Sequence, residues 1–341
     1  MTTFFPHVFG HNKIQQYLAA AIDNKRIANT ILFYGEEGLG KSTAALDLAS
    51  RITGTTRIWD EQIASHWLTV EGDNIESLYR SPDGKIFYMK PQHMELNMEQ
   101  FRLLLENIII LDDTPHVCII DEAQSMGAAI ANAWLKTLEE PKENLFFILV
   151  SHDITRMLPT VISRAELYEF TSLDYQSFEL FLNKQKKQLP DLQGRNYKDI
   201  YRISTGNPVI AIELFGENGM QCYDKAVRFW ETITHSSLPY TQIFESNKKI
   251  DKKEFQQELL WCMSIGRNIM LLANIPEQAE TITYITERER AIAQIWSDGK
   301  AEKALEILKV AYNACQRYIS TKNILDMIVI NLCLIKNGGE L

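Results

Sequence analysis

The chain has 341 residues, 45% of them hydrophobic and 23% charged, enough for about two or three domains with buried cores. Its formal net charge of -9 argues against a chain that coats nucleic acid by itself, because such binding rests on Lys and Arg meeting phosphates; a local or shared DNA contact stays open. No run of about 18 apolar residues occurs, and the opening MTTFFPHVFGHN lacks the basic-then-apolar layout of a secretory signal, so a cytoplasmic chain with no membrane partner is expected.

In chain order, residues 1 to about 170 alternate strand-like apolar runs with amphipathic stretches, the pattern of a parallel sheet flanked by helices. The runs are NTILFYG, KIFYMKP, HVCIIDEA and NLFFILVSH, while Asn12 to Ile22 and Met98 to Ile110 carry apolar residues three and four apart. From about 174 to 216 a few short helices are expected, with LPDLQG and STGNPV as turns. Beyond 218 helix follows helix, as in EKALEILKVAYNACQRYIS and KNILDMIVINLCLIK, too apolar for free surface helices. Those stretches fit the core of a small bundle or an oligomer interface equally well.

The five cysteines (Cys118, Cys222, Cys262, Cys315, Cys333) never approach C-x-x-C spacing and read as reduced thiols, Cys118 as core within an apolar strand. The seven histidines are scattered as well, so no metal cluster is visible.

Gly35-Glu36-Glu37-Gly38-Leu39-Gly40-Lys41-Ser42 fits G-x-x-x-x-G-K-[ST], a match expected by chance in roughly one per cent of chains this long. Its glycines let the backbone wrap a phosphate, the N–H groups from Gly38 through Leu39 and Gly40 to Ser42 point inwards, and a helix running on through Thr43 offers its positive end. Lys41 would reach the β and γ phosphates of ATP or ADP and the Ser42 hydroxyl a Mg²⁺. In HVCIIDEAQSM, Asp121 would emerge at a strand's carboxyl end to hold the Mg²⁺ through water, with Glu122 beside it to orient and deprotonate an attacking water. An Asp-Glu pair at a strand end is more often a solvated loop; the phosphate loop reverses those odds.

Asn132 to Phe170 is the most specific segment. NAWLKTLEEP, then Leu158-Pro159 and Ser163-Arg164-Ala165, resembles the N-A-L-L-K-x-L-E-E-P-P and L-P-x-x-x-S-R-C runs of bacterial clamp-loader ATPase subunits of the AAA+ class. FPHVFGHNKI is similar to that family's F-x-x-V-x-G-Q opening, and the helix carrying Arg102 to its counterpart. The resemblance spans about the first 215 residues and implies an AAA+ α/β domain (1–172), a helical lid (173–217) and an all-α oligomerisation collar (218–341). It places Val8 and Phe9 near the adenine and Pro208 of the lid at the nucleotide. It also makes Arg164 a finger reaching a neighbouring subunit's site, an effect worth about 10³ to 10⁵ in rate, or roughly 4 to 7 kcal/mol. Without the motif, Arg164 would read as a surface salt bridge worth at most about 1 kcal/mol.

Three departures sort the chain within that family. Residues 42 to 117 lack the four zinc-binding cysteines the family commonly has, so no zinc is expected, with packing by Trp59 and Trp67 in its place. Ala165 replaces the cysteine after the arginine, and Val209 stands where motor subunits of the gamma or tau type carry a lid arginine that reaches the γ-phosphate. Loss of that charge should weaken hydrolysis. The strand-end sensor of the γ-phosphate would be Ser151 or His152, the latter equally readable as an exposed loop residue. The pattern resembles the delta-prime branch, which implies a stator with weak or no ATPase of its own. Its partners would be gamma/tau and delta in a hetero-pentamer, with the sliding clamp and primed DNA met as part of the complex. An active gamma-type motor, or a ring ATPase that assembles with itself, are the competing readings.

Overall fold

The computed structural model describes residues 4–56, 67–69, 78–91, 95–96, 98–109, 112–139, 142–185, 196–215, 219–236, 239, 243, 251–282, 285–297, 299–315 and 319–339. It divides into two compact units, residues 1–177 and 178–341.

The first unit is built around a sheet. Its elements are α1 (Asn12–Asp23), β1 (Thr30–Tyr34), α2 (Lys41–Thr53), β2 (Leu68–Thr69), β3 (Leu78–Arg80), β4 (Ile86–Met89), α3 (Met98–Ile109), β5 (His116–Ile120), α4 (Ala128–Glu139), β6 (Leu145–Ser151), α5 (Pro159–Ile162) and β7 (Glu166–Glu169). The strand order is β2-β3-β4-β5-β6-β1-β7. From β4 to β7 every pairing is parallel, while β2 and β3 add an antiparallel edge.

The strands read as continuous apolar runs because both faces are covered. Ile31 and Phe33 of β1, and Val117 and Ile119 of β5, join the apolar layer that includes Leu18, Ala45 and Leu48 of α1 and α2. Leu32, Cys118 and Ile120 point the other way, into a layer with Phe101 and Trp134 of α3 and α4. This period-two split fixes the register of each strand, and it leaves only the strand ends free for chemistry. Cys118 is fully buried, as its position in an apolar strand suggests, and desolvation pushes its thiol far up. Trp67 is buried in the first layer; Trp59 lies outside the described residues.

Past α6 (Tyr175–Gln185), within which the division falls, the second unit is helical: α7 (Tyr197–Ser204), α8 (Pro208–Phe215), α9 (Gly219–His235), α10 (Lys252–Asn274), α11 (Pro276–Ile282), α12 (Glu287–Ala293), α13 (Lys300–Cys315) and α14 (Thr321–Lys336). The long α10 packs against α9 and α13, and α14 lies on α13. Trp230 and Trp296 meet edge to face with ring centroids 5.0 Å apart. Each indole is satisfied, Trp230 Nε1 donating to Cys262 O at 3.0 Å and Trp296 Nε1 to Thr234 Oγ1 at 2.9 Å, as large amphipathic rings require when buried. A Thr286–Glu289 capping box starts α12 and the Ser320 hydroxyl caps α14. The C-terminal apolar stretch is largely bundle core (Ile324, Ile328, Leu332, Ile335), with Ile330 and Leu334 left on the surface.

Candidate nucleotide site

Tyr34 ends β1 and Gly35 turns the chain with φ 134°; a Cβ there would lie 2.0 Å from the carbonyl oxygen of Phe170, so only glycine fits. Phe170 N–H donates to Tyr34 O at 2.7 Å, which locks the loop's first residue to the end of β7. Gly38 and Gly40 also have positive φ, and Gly40 caps α2, whose first residue is Lys41. The expected loop between strand and helix is therefore formed, with the amino end of α2 as its floor. Ser42 and Thr43 follow, half-buried in the first turn.

Lys41 is 6% exposed, and its ammonium donates to the carbonyl oxygens of Gly35 (2.7 Å) and Glu36. Burial pushes it down to about 8, against the pull of Asp121, Glu37 and Glu36. A cation held so far from water gains most from an added anion.

Asp121 leaves the end of β5 with both carboxylate oxygens in use: Oδ2 accepts from Tyr88 OH, on neighbouring β4, and Oδ1 from Glu122 N–H at 2.9 Å. Glu122 adopts a left-handed φ of 52° and its side chain is exposed. Desolvation, then Asp121 and Glu37, raise its carboxyl, with Lys90 opposing. Ser151 is fully buried and its hydroxyl accepts from Asp153 N–H at 3.1 Å, whereas His152 is exposed beyond the end of β6. Because β5, β6 and β1 are adjacent parallel strands, the loop, the Asp121-Glu122 pair and His152 share the sheet's carboxyl edge.

The segment before α1 is strapped to the helix that follows the loop. Buried Asp47 of α2 takes His7 Nδ1 at 2.8 Å and His7 N–H at 3.2 Å, and Arg51 Nε donates to Phe4 O at 2.8 Å. Gln15 joins Phe5 N–H to Gly10 O. Val8 is buried with its Cγ1 3.7 Å from where a Cβ on Gly40 would stand, and Phe9 is half-buried beside it. His11 Nε2 lies 3.2 Å from Leu39 O, so this segment touches the loop itself. Residue patterning did not single out Asp47, Gln15, Tyr88 or Gln124.

Arg164 sits elsewhere. It precedes β7, whose Glu166 pairs with Ile31, whereas the loop begins after Tyr34, which pairs with Glu169. Three strand steps, at least about 10 Å, separate it from the chain's own loop. Its guanidinium binds the Glu139 carboxylate at the end of α4, with Nε to Oε1 at 3.1 Å, and donates from Nη1 to Thr160 O at 2.8 Å. Pro208 starts α8 in the second unit, capped by Asn207 Oδ1 accepting from Val209 N–H at 3.0 Å, and Val209 is 39% exposed.

Mg²⁺ takes oxygen ligands and keeps several waters, relying on one or two protein groups plus substrate phosphates. The Ser42 hydroxyl and Asp121 carboxylate fit that donor set. Among the described residues no group of three or more His, Cys, Asp or Glu forms a dedicated metal site. None of the described helices is long and apolar enough to cross a membrane.

A mainly parallel sheet with helices on both faces, a phosphate loop after β1 and an acidic pair after β5 define a P-loop α/β unit, which a helical unit follows. Residues 10–174, just under half the chain, match the family model described as DNA polymerase III, delta subunit. The delta' subunit of DNA polymerase III from Pseudomonas aeruginosa is 25% identical over 56% of this chain and 56% of its own length. The delta' subunit from Bacillus subtilis is 27% identical over 49% of each, and the tau subunit of the same organism 28% identical over 53% of this chain and 31% of its own. The chain thus spans about half the length of the delta' relatives. Over that span it is similar to delta' subunits of DNA polymerase III.

Proposed function

We propose that this chain is a cytoplasmic, nucleotide-holding stator of a DNA polymerase III clamp loader and lends Arg164 to the site of a motor neighbour. The observation that carries the reading is the position of Arg164 at the amino edge of β7, opposite the chain's own phosphate loop. A guanidinium there has no route to the local γ-phosphate and, on the surface, is open to another subunit's. The loop N–H groups and Lys41 would hold ATP or ADP, with Val8 and Phe9 against the base and Ser42 and Asp121 on Mg²⁺, which neutralises phosphate charge when bound. Pro208 would approach from the lid. Without an arginine at Val209, closure on a γ-phosphate lacks one cation, so nucleotide would be held more than hydrolysed.

The partners are then gamma/tau and delta in a hetero-pentamer that opens a sliding clamp on primed DNA, with the segments 1–172, 173–217 and 218–341 acting as nucleotide domain, lid and collar. A motor role is favoured by one observation: Lys41, Ser42, Asp121 and Glu122 are all in place. Reconstitution with the other subunits separates the readings. A stator joins a mixed complex, shows little turnover alone, and lowers the complex's ATPase when Arg164 becomes Ala. Robust turnover by the isolated chain that Lys41→Ala abolishes makes it a motor; a homo-oligomeric ring in light scattering overturns both.

A further inference from the structure

Gln124 lies in the short 3₁₀ turn Ala123–Ser125 after β5 and is 5% exposed, while His152 follows β6; the two strands are hydrogen-bonded neighbours, Ile120 opposite Leu149. The buried amide bridges the strand ends. Its Oε1 accepts the His152 backbone N–H at 3.3 Å, and its Nε2 lies 2.7 Å from His152 Nδ1.

The chemistry of these groups leaves one arrangement. A backbone N–H only donates, so the oxygen end of the amide faces it; the opposite amide orientation would set two donors against each other. The amide nitrogen, also only a donor, then faces Nδ1, which must present a lone pair. A neutral imidazole with a bare Nδ1 carries its proton on Nε2. Desolvation lowers the ring's proton affinity; Lys41 and Arg156 act in the same direction, and Glu37 and Asp153 oppose them. Nε2 makes no hydrogen bond to any described residue. The result is a neutral N–H donor with no partner among the described residues, on the sheet edge that carries the phosphate loop and within electrostatic reach of Lys41.

We infer that Gln124 is a positioning residue that fixes His152 as an Nε2–H donor to the terminal phosphate oxygen of a nucleoside triphosphate. This rests on reading the Gly35–Ser42 loop as a nucleotide site. It assigns the sensing task to His152 over Ser151, and it explains how a histidine that would otherwise split between two tautomers presents a proton to an anion without carrying a charge.

The test is long-range ¹H–¹⁵N spectroscopy of the full chain labelled at histidine, with His152 assigned by H152Q, joined to affinities for ATPγS and ADP. Wild type should show a bare Nδ1 and a protonated Nε2. Q124E keeps the side chain's size but offers only an acceptor to Nδ1, so the proton should move to Nδ1. The preference for ATPγS over ADP should then fall about tenfold, one charge-assisted hydrogen bond, with ADP affinity unchanged. A protonated Nδ1 in a wild type that binds nucleotide overturns the inference alone. So does a Q124E chain whose preference stays intact after its tautomer has moved. A bare Nδ1 in a chain that binds neither nucleotide overturns the nucleotide reading, and the phosphate role of Nε2 with it. The wild-type spectrum needs no variant to fold.

Discussion

Lys41 and Arg164 are the two cations expected to meet a triphosphate, and the fold treats them in opposite ways. Lys41 is almost wholly buried, held by carbonyls of its own loop and pushed down to about 8. Arg164 keeps a third of its side chain in solvent and pairs with a half-exposed carboxylate. The loop lysine is a strained charge that a ligand relieves, so its contribution is visible in the isolated chain. The arginine is already satisfied and costs the fold little, so its contribution depends on a second body.

The sharpest break of that comparison is Arg164→Ala. In the reconstituted complex it is expected to slow ATP turnover by about 10³, close to 4 kcal/mol, while nucleotide affinity of the isolated chain stays within about twofold. A loss of affinity in the isolated chain would move Arg164 to the local site. Lys41→Met is the converse: nucleotide affinity measured by calorimetry should fall about a hundredfold in the chain alone.

The lysine also has a pH signature. Its folded value lies below the unfolded one, so between about 8 and 10.5 the unfolded chain binds more protons and stability rises with pH. Across that window the stability of wild type relative to Lys41→Met in urea unfolding should increase with pH, by on the order of 3 kcal/mol in total. A constant margin would mean the ammonium is not desolvated. Smaller again is Gly35→Ala, whose Cβ meets Phe170 O at 2.0 Å and forces the β7 end away, at about 2 kcal/mol in thermal unfolding. An unchanged melting temperature would show that the loop does not depend on β7.

Much of this site was legible because it is local. The glycine loop, Lys41 and Ser42 are eight consecutive residues, and Asp121 follows an apolar run directly, so strand, turn and helix signals placed them without a fold. β7 escaped notice: at the sheet edge its Leu167 is 43% exposed, and Glu-Leu-Tyr-Glu offers no apolar run. Gln124 bonds His152 28 residues on, Tyr88 reaches Asp121 33 residues on, and His7 reaches Asp47 40 residues on. Periodicity carries no information about pairs at such separations; only the sheet order brings them together. Ser151 and His152 look alike as strand-end polar residues in the sequence; the fold separates them by burial, the serine fully buried with its hydroxyl accepting from Asp153 N–H and the histidine exposed.

Glu139 offers the finest test. It is the carboxylate that holds Arg164, and it comes from the Leu-Glu-Glu-Pro run that, with Ser163-Arg164, carries the family resemblance. With both partners substantially in solvent the pair is worth at most about 1 kcal/mol, discounted for screening. Glu139→Gln keeps an acceptor and removes the charge, so unfolding should shift by less than about 1 kcal/mol. If the guanidinium must leave Glu139 to meet a neighbour's phosphate, the same change lowers the cost of release, and turnover in the complex should rise by up to about fivefold. The rise should vanish at high salt, where the pair is already screened. A fall in turnover would instead make Glu139 the group that aims the arginine, and the surface pair would be part of the finger's geometry and no longer its resting place.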